Sequence, residues 1–308
     1  MIKPGIPFIP MEPTSHPEAF DDESFGFQVK WDGTRILAHV DGVVELFNRK
    51  MKRRTKQYPE VVDALSRFFS RKSAVLDGEM IALLGGRPDF QNLMRRDMAT
   101  EEATVKYLAS KIPVTYVVFD ILYLNGKCLV DLPFSERYGI LRSCLSSSDP
   151  VVVTDTFLGT GIALFEAVKE KDLEGIVAKK LDSRYEIGKK SKKWLKIKNR
   201  RTITALAGGF LAEGKRVRSV FLGRLVEGYL IYIGRASSGL DEEKSGLLYD
   251  VLSRLVIEEC PFSVLPPLSK KEKPVWVLPR IAVEVEFSDY TGEGYLRHPV
   301  IRRIQKIS

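Results

Sequence analysis

The stretch Lys30-Trp31-Asp32-Gly33-Thr34-Arg35 decides how the rest of the chain is read. It closes an alternating run in which Phe27, Val29 and Trp31 are apolar and Gln28, Lys30 and Asp32 are polar. That is the period of a strand with one apolar face, and it places Lys30 beside Gln28. Gly33 permits a tight bend, and Arg35 supplies a planar fork suited to phosphate. A lysine with the ordinary pKa of about 10.4 is rarely neutral near pH 7.5. Neighbouring cations or a bound metal lower that pKa and free the lone pair. A nucleophilic Lys30 therefore needs partners elsewhere; alone, an exposed lysine near a turn is more often a solvated charge.

The partners follow in order. Leu76-Asp77-Gly78-Glu79 reads as strand, with Asp77 and Glu79 on one face; carboxylates there accept from ribose hydroxyls or approach a metal. Val117-Val118-Phe119-Asp120-Ile121-Leu122-Tyr123 is a second strand, whose Phe119 either stacks on a base or joins the core. Glu174-Gly175-Ile176-Val177-Ala178-Lys179 opens a strand after a helix. Its Glu174 suits Mg2+, which prefers oxygen and phosphate ligands. In Trp194-Leu195-Lys196-Ile197-Lys198, Lys196 and Lys198 share a face. Two adjacent ammonium groups repel unless an anion lies between them, which suits a triphosphate. Gly209 to Lys215 fits GxxxxGK, but Arg216 stands where a phosphate loop needs Ser or Thr, and the segment reads as a hairpin turn.

Outward from these motifs, helical spacing covers 59–70, 134–145 and 161–172, and strand-like runs cover 74–84, 114–124, 175–180 and 194–198. After Arg201 short β-type runs dominate, at 203–211, 219–225, 229–233, 275–277 and 281–287, with one helix near 241–257. Such a pattern suits a small β-barrel, an OB-fold. The boundary falls near residue 200, giving units 1–200 and 201–308. No apolar run approaches the length of a membrane span, the N-terminus lacks a signal-peptide core, and Cys128, Cys144 and Cys260 make neither a disulfide framework nor a zinc pair. The expectation is a soluble cytoplasmic protein. Its net charge of +8 is concentrated: 49–56 holds six basic residues and 189–201 holds eight, with no acid in either. Without those fourteen, 34 basic residues face 40 acidic ones, a net of −6. The surplus marks a phosphate-backbone contact beside the motifs.

Five segments in this order resemble the covalent nucleotidyltransferase superfamily of DNA ligases, RNA ligases and capping enzymes. Lys30–Arg35 matches its KxDGxR motif, and Asn48-Arg49 looks like its Ser-Arg motif with Asn for Ser. The tail from Glu284 to Val300 and the loop from Asp182 to Trp194 resemble the ATP-dependent ligase module of bacterial ligase-D-type end-joining enzymes. The resemblance implies an α+β fold: an adenylyltransferase domain of ATP-grasp-like antiparallel sheets with helices, then an OB-fold domain. It implies ATP as cofactor with Mg2+ or Mn2+, and nicked or broken double-stranded DNA as substrate in repair. A Ku-type end-binding protein is the implied partner, with a monomer at the nucleoid. Residue by residue, Lys30 would take AMP as a phosphoramidate, Arg35 and Arg49 would contact ribose and phosphates, and Glu79 would bind ribose. Phe119 would stack on adenine, and Glu174, with Glu79, would hold the metal. Lys196 and Lys198 would stabilise the phosphates, and Gln28 and Lys179 would line the nucleotide pocket. Arg53, Arg54, Lys189, Lys190, Lys192, Lys193 and Arg297 would meet DNA, and a hinge is expected near 199–202. The family usually has Glu where Gln28 stands, and its final Arg-x-Asp-Lys motif is not clear in Arg302 to Ser308. Only 29 residues precede Lys30, too few for the large N-terminal domains of replicative ligases. An RNA ligase or capping-type enzyme, and a non-catalytic DNA-end-binding protein, remain the alternatives.

Overall fold

The computed structural model describes residues 2–306, so Ile307 and Ser308, the end of the divergent tail, lie outside the described residues. The chain divides into two compact units, Met1–Asn199 and Arg200–Ser308. No helix among the described residues is long and apolar enough to cross a membrane.

In the first unit a five-stranded sheet runs in the order Glu12–Ser15, Lys190–Lys198, Gly175–Lys180, Asp22–Lys30, Phe157–Gly159. Alternation along its central strands is strict. Phe27, Ile176, Ala178 and Ile197 pack on Leu164 and Val168 of the helix Gly161–Glu170; the residues between them point to the other face. A seven-stranded sheet is built around Thr34–Asp41, Ala74–Leu84 and Val114–Leu124. Ile36, Ala38, Leu76 and Val118 bury one face against Val61, Ala64 and Leu65 of the helix Pro59–Phe68, which starts on a proline with no N–H to satisfy. Leu37, Val75 and Leu122 on the opposite face form a second cluster with Met11, Tyr185 and Trp194, with Phe119 packed against it.

Gly33 is needed for close approach rather than for a left-handed turn: a Cβ there would lie 2.2 Å from the Met80 carbonyl oxygen. Asp120, the acid of the Val117–Tyr123 strand, is structural. With Arg137 of the helix Phe134–Cys144 it forms a fully buried ion pair, Nε–Oδ1 2.8 Å and Nη2–Oδ2 2.9 Å. Arg137 also donates to the carbonyls of Leu132 and Ser183, so the guanidinium is well satisfied.

The second unit is the OB-fold. Its sheet order is Tyr229–Ala236, Arg216–Val226, Arg201–Glu213, Ile281–Phe287, Val300–Lys306. The helix Glu242–Leu252, capped by Asp241, lies in sequence between the strands Tyr229–Ala236 and Ile281–Phe287. The Ile301 N–H donates to the Ser238 carbonyl, bringing the last strand back to the end of Tyr229–Ala236. Gly214, at φ 58°, turns the hairpin that resembled a phosphate loop.

Two expectations are corrected. Residues 275–277 supply only the two-residue strand Val275–Trp276, and the fifth barrel strand is Val300–Lys306. Its register shifts opposite Glu284 and Val285, which breaks the period-two pattern that marks a strand in sequence. The helices Phe90–Asp97 and Glu102–Lys111 add to that reading; the first carries Phe90, Leu93 and Met94 at helical spacing within a single two-turn segment, and the second has a weak apolar stripe.

Removing one partner of a buried ion pair strands the other charge. Arg137→Leu is therefore expected to lower unfolding stability by about 3–5 kcal/mol in a urea titration. The double variant Arg137→Leu/Asp120→Leu should recover much of that loss.

Candidate active site

The site is a ladder of rows across three strands. Pairing sets Lys30 opposite Gly175 and Gly175 opposite Lys198; Gln28 opposite Val177 and Val177 opposite Lys196; Gly26 opposite Lys179 and Lys179 opposite Trp194. The seven side chains among these nine positions point away from the Gly161–Glu170 helix, because their neighbours face it. Successive rows are about 7 Å apart, two residues of strand rise.

The first row is an ionic cluster. Lys30 Nζ donates to Glu174 Oε2, and Lys198 Nζ lies 3.0 Å from Glu174 Oε1. Gly175 lets its strand lie close against the backbone of the Lys190–Lys198 strand. A Cβ there would fall 2.1 Å from the Ile197 carbonyl, and its φ of 145° strains any other residue. Burial opposes the charged form of Glu174, but Lys30 and Lys198 more than offset it and hold the carboxyl below its usual range. Burial, then Lys198, Lys30 and Lys190, depress the Lys196 ammonium.

The third row is an aromatic cage. Lys179 is 2% exposed, and its Nζ lies 4.2 Å from the ring centroid of Phe119, 4.8 Å from that of Phe134 and 4.1 Å from that of Trp194. It donates to the Phe119 carbonyl at 3.3 Å. Burial pulls the ammonium down to about 7, with Asp120 the main charge opposing it.

The second sheet brings its own groups to the same place. Arg35 pairs with Glu79 across the strands, and Asp77 lies two residues along on the same face. The Arg35 guanidinium grips Asp77 with Nε–Oδ1 2.5 Å and Nη2–Oδ2 2.6 Å, and lies 4.5 Å from the centre of the Phe119 ring. Asp77 is completely buried and accepts from the Tyr185 hydroxyl at 2.6 Å. That hydroxyl accepts in turn from the Met11 N–H at 3.1 Å. Glu79 is raised from 4.5 to about 7, chiefly by burial, which outweighs the opposing pull of Arg35 and Lys30.

Lys30, Gln28, Arg35, Glu79, Phe119, Glu174, Lys179, Lys196 and Lys198 thus share the facing surfaces of two sheets. Other candidates lie apart. Arg49 is exposed on a turn shaped by Asn48, whose Oδ1 accepts from the Lys50 and Lys52 N–H groups at 3.0 Å each. Arg53 pairs with Glu45. Arg54 is held by Asp97 at 3.0 and 3.1 Å, so its charge is committed to the fold rather than open to a ligand. Lys189, Lys190, Lys192 and Lys193 are exposed at the start of the strand Lys190–Lys198. Arg297 belongs to the second unit, in the strand Leu296–Arg297.

Asp77, read in sequence as an acceptor for ribose or metal, is instead committed to Arg35 and Tyr185. Tyr185 and Thr156, the latter accepting from Gln28 Nε2 at 2.8 Å, are contacts that motif reading passes over, although Tyr185 lies in the loop that resembles the one before the last motif. Among the described residues no three His, Cys, Asp or Glu side chains gather to hold an ion. Glu174 and Glu79 are carboxylates of the kind that a hard cation keeping water and phosphate ligands would accept.

Fold and site together define a two-domain nucleotidyl-transfer protein, with a lysine and its charge partners on one sheet and a barrel unit following in sequence. Residues 11–198 match the family model of the ATP dependent DNA ligase domain, and 213–306 that of the ATP dependent DNA ligase C terminal region. The chain belongs to the ATP-dependent DNA ligase family. It is 32% identical over 306 residues to the multifunctional non-homologous end joining protein LigD of Mycolicibacterium smegmatis, covering 97% of this chain and 38% of that protein. It is 38% identical over 192 residues, 62% of this chain and 67% of the other, to a prophage-derived DNA ligase-like protein LigB of Bacillus subtilis. A solved mycobacterial DNA ligase D complexed with ATP and MES superposes with a TM-score of 0.58 at 29% identity, covering 98% of this chain and 96% of that one. The chain spans less than two fifths of the length of the LigD proteins it matches.

The raised Glu79 carboxyl has a testable sign. Between pH 4.5 and about 7 the folded chain holds a proton that the unfolded chain releases. Its contribution to stability is complete below 4.5 and is lost as pH rises through about 7. Stability of the protein without nucleotide, measured by denaturant titration across that window, should fall less steeply in Glu79→Gln than in the wild type.

Proposed function

We propose that the chain seals breaks in duplex DNA through a covalent Lys30–AMP intermediate. The observation that carries this reading is the first row of the ladder: Lys30 and Lys198 either side of Gly175, both on the Glu174 carboxylate. Lys30 Nζ attacks the α-phosphorus of ATP. A nitrogen–phosphorus bond forms, the bond to the bridging oxygen breaks, and pyrophosphate leaves with that electron pair. The Lys30 ammonium must first lose its proton to solvent, and Glu174 keeps the amine oriented as its hydrogen-bond acceptor. AMP then moves to the 5′-phosphate of a break, and the neighbouring 3′-hydroxyl displaces it to close the strand.

Each residue has a physical task. Lys196 and Lys198 offset charge on the α-phosphate and the leaving pyrophosphate, where oriented cations act most strongly. Phe119 offers a stacking face and Glu79 an acceptor for ribose. Asp77 and Tyr185 fix the Arg35 fork before the nucleotide arrives. Glu174 with Glu79 would hold Mg2+ or Mn2+, which supplies charge neutralisation to the triphosphate when bound. The exposed Lys189, Lys190, Lys192 and Lys193 follow the DNA backbone, with Arg53 and Arg297 as further contacts. The likeness to end-joining proteins supports a role in DNA repair, as a monomer at the nucleoid, with a Ku-type end-binding protein delivering broken ends.

Incubation with α-labelled ATP and Mg2+ should leave label on the denatured wild-type protein and none on Lys30→Ala. Label on the alanine variant would contradict the mechanism.

Affinity for nicked duplex should fall linearly with salt on logarithmic axes. Alanine at each of Lys189, Lys190, Lys192 and Lys193 should lower that slope by about one.

A further inference from the structure

The basic run 49–56 carries one apolar side chain, and the backbone holds it in an unfavourable place. The strand Val43–Asn48 ends in a tight turn. The Met51 N–H donates to the Asn48 carbonyl at 2.8 Å, the Asn48 N–H donates to the Lys52 carbonyl at 3.0 Å, and Phe47 bridges Arg53 beyond them. The Asn48 Oδ1 atom braces the turn from inside by accepting from the Lys50 and Lys52 N–H groups. Further along, Thr55 Oγ1 accepts from the Leu46 N–H at 3.0 Å, and Asp97 holds Arg54.

Met51 occupies the left-handed position of this turn, at φ 60°. Loops of this kind favour glycine or asparagine there, because a larger side chain crowds the backbone. The methionine gains little burial in return, being 43% exposed. An apolar side chain kept at a strained and exposed position points to a contact made outside the chain. Its surroundings give the chemistry of that contact. Arg49, Lys50 and Lys52 are exposed on either side of it, whereas Arg53 and Arg54 are tied to Glu45 and Asp97. The matching partner presents anions around an apolar interior, as duplex DNA does with its phosphates and stacked bases. The place of the turn agrees with this. Asn48 pairs with Ile36, next to Arg35, and Arg35 pairs with Glu79, so the turn leaves the sheet at the end that carries the site.

We propose that Met51 is a wedge that enters the base stack at a break in duplex DNA, while Arg49, Lys50 and Lys52 hold the phosphates beside it. The inference rests on the ligase reading above and adds to it a means of telling broken from intact duplex. Apolar wedges must unstack a base step, which is costly in continuous duplex. At a break one strand has no covalent tie across the step, and opening it costs less. The unbranched, polarizable thioether of methionine suits such insertion.

The test uses a nicked duplex whose 3′ end lacks its hydroxyl, so that it cannot be sealed, with 2-aminopurine beside the nick to report unstacking. The wild type should raise the fluorescence about threefold and bind this duplex about tenfold more tightly than its intact counterpart. Met51→Gly relieves the backbone strain, so its thermal midpoint should hold or rise, whereas a wedge lost with the side chain abolishes both the fluorescence rise and the preference. Met51→Leu should keep both. The salt slope of binding should be the same in all three proteins, since no cation is removed. If Met51→Gly does not fold, Met51→Asn makes the same comparison. A wild type that binds the nicked duplex without unstacking it, or a Met51→Gly variant that matches the wild type, overturns the proposal. Met51-dependent binding to phosphatidylglycerol vesicles, with no unstacking of the nicked duplex, overturns it in favour of a membrane contact. Charging of Lys30 by α-labelled ATP is scored separately: if it fails while Met51-dependent unstacking persists, the covalent reading falls and the wedge stands.

Discussion

Everything at the site depends on one row of backbone pairing, Lys30–Gly175–Lys198. Two ammonium groups on neighbouring positions of a sheet repel each other. The fold holds them together because Glu174, one residue before the glycine, accepts from both. Gly175 is the only residue type whose backbone fits there, pressed against the Ile197 carbonyl. A triphosphate presents the same negative charge to the same cations. Glu174 thus keeps the two ammonium groups at one place on the sheet.

The second requirement is that the opposing sheet be rigid before the nucleotide binds. Arg35 could swing freely on its three-carbon stem. It does not, because Asp77 grips the guanidinium at two points and Tyr185 holds Asp77. Tyr185 is joined to the Met11 backbone, so the N-terminal segment, the loop before the Lys190–Lys198 strand and the second sheet meet at one buried carboxylate. Lys179 adds a cation to the Phe119 ring that Arg35 also touches. Fixing such groups in advance lowers the reorganisation needed when charge moves during nucleotidyl transfer.

Much of this is legible in sequence, for definite reasons. Period-two alternation puts Gln28 with Lys30 and Lys196 with Lys198, and the ladder carries both pairs on the face away from the helix. The barrel is legible as short β-type runs after Arg201, but its last strand is not, because a register shift near Arg302 and Arg303 breaks the alternation. The helix at 102–111 is the same length as those at 59–68 and 161–170 but carries a weaker apolar stripe, and the helix at 90–97 has only Phe90, Leu93 and Met94 to mark its face. Thr156 carries no local signal; its meaning arises only when 128 residues of chain separation are folded away to set it against Gln28. Arg54 shows the converse. Its basic run points to DNA, while in space Asp97 takes its charge.

The account turns on which amine becomes charged, since four lysines, Lys30, Lys179, Lys196 and Lys198, line one face. The most direct measurement is to load the protein with ATP, digest it, and locate the AMP-bearing residue by tandem mass spectrometry. The ladder predicts a single adduct, on Lys30. An adduct on Lys179, Lys196 or Lys198 would contradict the assignment of the first row as the reacting one.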